Sequence, residues 1–221
     1  VDVSLIPPGG IDSTLVPIPN DALAFGPDGS LYTTGSPGNA VVVRITPGPD
    51  GLINGVGDTA FVVAGGAFPG PHLGDGTAAT SSQLFIPISI AVAPTGDVYV
   101  GDTGSPWAGS VRKIRAVDGV VTGAADETIT TVAGFHIYDA AFSSGTDLPF
   151  SDGDGHALSS IFGANFDLLV LPSGHLLVND FYQVRRIGPR AYDAVVVLKG
   201  ARTVVAAPDG NRYVLAKARL D

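Results

Sequence analysis

Ile88-Ser89-Ile90-Ala91-Val92-Ala93-Pro94-Thr95-Gly96-Asp97-Val98-Tyr99-Val100-Gly101-Asp102 is the stretch whose reading decides the fold. It reads as an apolar strand over 88–93, a tight turn at Pro94-Thr95-Gly96 and a second strand over 97–102. Proline presets φ at the first central turn position, and glycine supplies the positive φ that closes the turn. Working outward, Ser-Val-Arg-Lys-Ile predicts a third strand over 110–116, and Ile-Thr-Thr-Val-Ala-Gly a fourth over 128–133. Gly74-Asp75-Gly76 stands before the unit as a linker.

The same order recurs in the chain, and a fixed period is the signature of a repeat architecture. Pro27-Asp28-Gly29 and Pro172-Ser173-Gly174 are the corresponding turns, with linkers at Pro8-Gly9-Gly10 and Gly153-Asp154-Gly155. The predicted units cover 8–66, 74–135 and 153–200 of one domain spanning 1–221. A shortened fourth, 201–221, has strands over 203–207 and 212–216 around Pro208-Asp209-Gly210. Segment 1–6 reads as the last strand of a unit, because it sits before the first linker as Val62-Val63-Ala64-Gly65 sits before the second.

Composition agrees with an all-β chain. Of 221 residues, 30 are Gly and 17 Pro, and 45% are apolar, which suits many strands and turns. Only 15% are charged, against roughly 25% in an ordinary soluble domain, so part of the surface is expected to be covered by partners. The net charge of −9 comes with 12 scattered basic residues. Nucleic-acid binding, which needs a basic footprint, is excluded on that ground. No apolar run reaches the length of a membrane span. There is no Cys, hence no disulfide, thiolate metal site or Cys nucleophile. There is no Met, even at position 1. A removed signal peptide accounts for that and points to an extracellular or cell-surface protein. A fragment of a larger sensor or adhesin ectodomain is the other reading.

Gly74-Asp75-Gly76, Gln83-Leu84, Ile90-Ala91-Val92, Gly96-Asp97-Val98-Tyr99-Val100, Asp102-Thr103, Val111-Arg112-Lys113-Ile114 and Thr131-Val132-Ala133-Gly134 together resemble the NHL-repeat β-propeller family. The likeness is closest in the second unit and covers most of the chain in outline. The resemblance implies an all-β propeller of about four blades. The last blade would be completed by strand 1–6 of the same chain or of a neighbouring one. Family members typically have six blades, so the number departs from the pattern. Asn179-Asp180 stands at the strand end where the family usually has Ala-Asp-Thr.

The expected function is a non-enzymatic binding or self-assembly module. The partner would be a second copy or another protein, in one version a filament subunit joined by strand addition. Its junction would comprise Val1, Val3, Leu5, Ile6, Val204, Val205, Tyr213 and Val214. Trp107, the sole Trp, would serve as a contact anchor or pack against a neighbouring blade. The apolar insertion 135–150 either packs over the propeller or marks a partner site. The alternative is a metal-dependent propeller enzyme of the lyase or lactonase type.

No catalytic residue is assigned, and no cofactor is required by the sequence. Asp147, Asp152 and Asp154 lie among turn-forming residues; hard oxygen ligands at such spacing suit calcium, and Asp and Gly are also plain turn formers. His72, His136 and His156 flank linkers or strand ends, and zinc takes such imidazoles when they converge. Lyases of the resembled family hold zinc with three His from different blades, though these three do not match that motif one by one. The resemblance also makes Asn179 and Asp180 candidates for a calcium-dependent lactonase-type centre. Glu127 is the only Glu, so a paired-Glu acid/base mechanism is excluded. Asp75 and Asp154 recur at one repeat position and are expected to bond linker amides.

Overall fold

The computed structural model describes residues 22–35, 40–53, 55, 57–66, 74–105, 108–134, 157–160, 162, 166–180, 183–188, 194–199, 201–206 and 212–216, with the backbone alone at 104, 105, 108, 159 and from 194 onward. Segment 1–6 lies outside the described residues. Apart from short 3-10 turns at Ala79–Ser81 and Ala157–Ser159, the regular elements described are strands.

β1 (Ala22–Phe25), β2 (Leu31–Gly35), β3 (Val41–Thr46) and β4 (Thr59–Gly65) form one antiparallel sheet in sequence order. β5 (Pro87–Val92), β6 (Val98–Ser105), β7 (Ala108–Ile114) and β8 (Ile129–Gly134) form the second. β9 (Phe166–Val170), β10 (Leu176–Asp180), β11 (Gln183–Ile187) and β12 (Ala194–Lys199) form the third. β13 (Ala201–Ala206) and β14 (Arg212–Ala216) pair as a hairpin. The first strands are the neighbours between sheets: β1 meets β5, β5 meets β9, and β9 meets β13. This is the arrangement of propeller blades set side by side around an axis.

Two-residue periodicity places the core between sheets. On one face of the second sheet Ile90, Val98, Val100, Ile114 and Ile129 meet Tyr32, Val42 and Val63 of the first. On its other face Val111 and Ala133 meet Phe162, Phe166, Leu176 and Val178. The Tyr32 hydroxyl donates to the Val121 carbonyl at 3.0 Å and accepts from the Val121 amide at 3.3 Å, tying the first sheet to a loop of the second.

The repeated turns are built alike. In each, the residue before the proline donates its amide to the carbonyl that follows the glycine: Gly26 to Ser30, Ala93 to Asp97 and Leu171 to His175, all at 2.8 Å. Gly29, Gly96 and Gly174 have φ of 82°, 85° and 78°. At Gly96 a Cβ would also collide with the Gly119 carbonyl, whereas at Gly29 and Gly174 it would meet open space. Conformation alone demands glycine at two turns, and conformation plus packing demands it at the third.

Candidate functional site

At one end of every sheet the first and third strands begin and the second and fourth finish. The segments between sheets leave and return at that end. Register places Gly35, Asp102 and Asp180 at corresponding positions there. Each ends, or nearly ends, the pairing of a second strand: Gly35 opposite Val41, Asp102 opposite Ser110, Asp180 opposite Gln183. One residue earlier stand Thr34, Gly101 and Asn179.

Asp102 is fully buried. Its Oδ1 accepts from the amides of Phe85 and Ile86, both at 2.9 Å, and so fastens the segment entering β5 to the end of β6. Its Oδ2 has no hydrogen-bond partner among the described residues. Burial pushes the acid up to about 6, against the opposing pull of the two amides and the Arg112 charge.

Arg112, also fully buried, reaches Asp75 Oδ1 at 2.7 Å and the Gln83 carbonyl at 3.4 Å. Asp75 in turn accepts from the Thr131 amide at 2.9 Å and its hydroxyl at 3.2 Å. The expected partners of Asp75, the linker's own amides, are replaced by strand β8 and a buried guanidinium. Asp154 lies outside the described residues.

The third sheet repeats the pair. Arg185 stands at the register position of Arg112, buried, with Nη2 3.9 Å from Asp180 Oδ2 and its guanidinium 5.2 Å from the centre of the Phe162 ring. Asn179 and Asp180 are both buried at the strand end. Asn179 occupies the position of Gly101, where a Cβ would run into Ser89 Oγ and the Phe166 ring. The second sheet has no room for the side chain that the third one carries.

Glu127 is a loop clamp. Its buried carboxylate accepts the amides of Thr122, Gly123 and Ala124 at 2.6–2.9 Å, which leaves it no role at the strand-end face. Asp28, at the opposite end of the first sheet, is raised by burial, but bonds from Ser30 and Arg44 outweigh that and hold it below the usual carboxylate range.

Val1, Val3, Leu5, Ile6, Trp107, His72, His136, His156, Asp147, Asp152 and Asp154 lie outside the described residues. Val204 pairs with Val214 and Val205 with Tyr213 in the terminal hairpin. Among the described residues no three His, Cys, Asp or Glu side chains converge as a metal centre, and no helix is long and apolar enough to cross a membrane. The buried Asp102, Arg112 and Arg185 were not singled out from sequence as site residues. The signal was the doublet Val111-Arg112 and Val184-Arg185 recurring in register.

No protein-family model and no curated protein matches the chain. Solved structures do. A candidate oxidoreductase (glucose dehydrogenase) of Thermus thermophilus is 16% identical over 80% of this chain and 46% of that one, with a TM-score of 0.42. A candidate gluconolactonase is 16% identical over 88% and 54%, with a TM-score of 0.45. A protein from Lactobacillus plantarum is 17% identical over 89% and 48%, with a TM-score of 0.41. The chain spans about half the length of each. The neighbours are propeller proteins, and two carry enzyme names. Two enzyme names among the neighbours run against the expectation of a non-enzymatic structural module, self-assembling or filament-forming.

Proposed function

We propose that this chain is a propeller enzyme of the lactonase type, acting on a cyclic ester at the strand-end face that carries Asn179 and Asp180. The observation that supports it is the succession of an amide and a carboxylate, Asn179 and Asp180, at the end of β10, where the second sheet has Gly101 and Asp102. Asp180 would accept the proton of an attacking water. The water oxygen adds to the ester carbonyl, the ring C–O bond breaks, and the departing oxygen takes up a proton. Arg185, buried beside Asp180, would hold the carboxylate in place.

Among the described residues no three His, Cys, Asp or Glu side chains converge, and the steps above use the chain's own residues. Calcium held with help from Asp147, Asp152 or Asp154, or zinc from His72, His136 or His156, is an addition to test. For the fold we infer NHL-type blades, about four, with segment 1–6 completing the last, and for location the cell exterior.

The test is hydrolysis of glucono-δ-lactone and simpler γ- and δ-lactones, followed by proton release with added calcium, with zinc and with chelator. Turnover should fall at least about 100-fold in Asp180→Asn, the usual size of a lost acid–base group. Absence of turnover in every metal condition, or an Asp180→Asn variant of full activity, would refute the reading.

A further inference from the structure

The interface between the first two sheets holds a group of buried oxygens that the fold leaves without partners. Asp102 Oδ2, Gln83 Oε1, Ser110 Oγ and Thr34 Oγ1 each lack a hydrogen bond among the described residues. Their residues are all at least nine-tenths buried. Native proteins rarely leave such groups unsatisfied, and each calls for an explanation.

They belong to one neighbourhood. Asp102 and Ser110 are direct register partners, so their side chains rise from the same face of the sheet. Gln83 lies two residues before Phe85, whose amide is 2.9 Å from Asp102 Oδ1, and its carbonyl is 3.4 Å from Arg112 Nη1. Thr34 shares its sheet face with Tyr32, the face turned toward the second sheet.

Charge selects the occupant. The charged groups among the described residues here are Asp102, Arg112 and Asp75. Arg112 pairs with Asp75 at 2.7 Å and donates to the Gln83 carbonyl at 3.4 Å. Two carboxylates against one guanidinium leave one negative charge when both acids are ionised, and it sits on the more deeply buried acid. A buried charge is tolerated when it is paired or coordinates a metal. The remaining donors are neutral oxygens, the ligand set of hard cations.

From these observations we propose that the pocket formed by Gln83, Asp102 and Ser110, facing Thr34, binds a single monovalent hard cation of the sodium class. One carboxylate balances one positive charge. A divalent ion would leave an excess beside Arg112. The site lies between sheets, so its occupancy should appear as stability of the whole chain rather than as activity, and it does not depend on the lactonase reading.

The experiment is thermal unfolding of the full chain in sodium, potassium and choline chloride at matched ionic strength. Sodium should raise the midpoint over choline, by about 3–6 °C for each tenfold increase above the dissociation constant. Asp102→Asn should abolish the difference, and Ser110→Ala should reduce it. Asp180→Asn should keep it, which separates this pocket from the strand-end site. Excess 23Na relaxation on the unaltered protein gives a second readout. Equal midpoints in sodium and choline, with no excess relaxation, would overturn the proposal in favour of a pocket filled by water. An undiminished sodium response in Asp102→Asn would overturn it as well.

Discussion

Replacing Asp102 with Asn tests how the second sheet tolerates its buried acid. The acid is pushed from 3.8 to about 6 by burial. A tenfold change in proton affinity is worth about 1.4 kcal/mol, so the ionised form forgoes roughly 3 kcal/mol of native stability. The folded chain binds this proton more tightly than the unfolded one. The contribution is therefore complete below pH 3.8, shrinks as pH rises through about 6, and is gone above that. Asparagine is a permanent stand-in for the neutral acid. Its oxygen still accepts from the Phe85 and Ile86 amides. In sodium-free buffer, urea unfolding of Asp102→Asn should show a gain of up to about 3 kcal/mol at pH 7.5 and little difference near pH 4. A loss of about 2 kcal/mol or more at pH 7.5 would refute the reasoning. It would mean that the two amides and Arg112 more than compensate the buried charge.

Two further substitutions probe parts of the fold with opposite expectations. Gly96→Ala should destabilise by about 3 kcal/mol or more, because positive φ and collision with Gly119 act together, whereas Gly29→Ala, with positive φ and open space, should lose only about 1 kcal/mol; equal losses by chemical denaturation would show that the Gly119 backbone yields. Glu127→Gln keeps the shape but trades carboxylate bonds to three amides for neutral ones. It should lose about 2–3 kcal/mol at neutral pH, and an unchanged midpoint would show that the clamp is dispensable.

The sheets were legible because turn chemistry and alternation agree. Pro94-Thr95-Gly96 and its two counterparts fixed where strands reverse, and the strand spans follow within a few residues. β6 and β7 are the largest discrepancy, extending to Ser105 and beginning at Ala108. The candidate site was less legible. Which partners close around Asp102 and Asp180 depends on the residues the neighbouring segments bring against them. Both follow a strand of similar pattern, and only the neighbouring residue, Gly101 or Asn179, separates them in sequence. The repeat position of Asp75 predicts bonds to linker amides, yet its partners Arg112 and Thr131 lie far along the chain. Long-range pairing of that kind leaves no local trace.

Among the described residues, the ladders of the three sheets join strands that are consecutive in sequence. Kinetically, the ladders inside a sheet close between consecutive strands, while longer-range backbone bonds, such as Gly76 and Thr77 with Ile129 and Gly109 with Phe162, fasten the segments that run between sheets. Ladders between consecutive strands close at a lower entropic cost than interleaved pairing of the same strands. A refolding chain can thus complete its pairing within each sheet before docking. The slow step then falls on joints such as Tyr32 with Val121, whose partners are 89 residues apart. Substitutions there should speed unfolding or delay docking without altering the register of any strand.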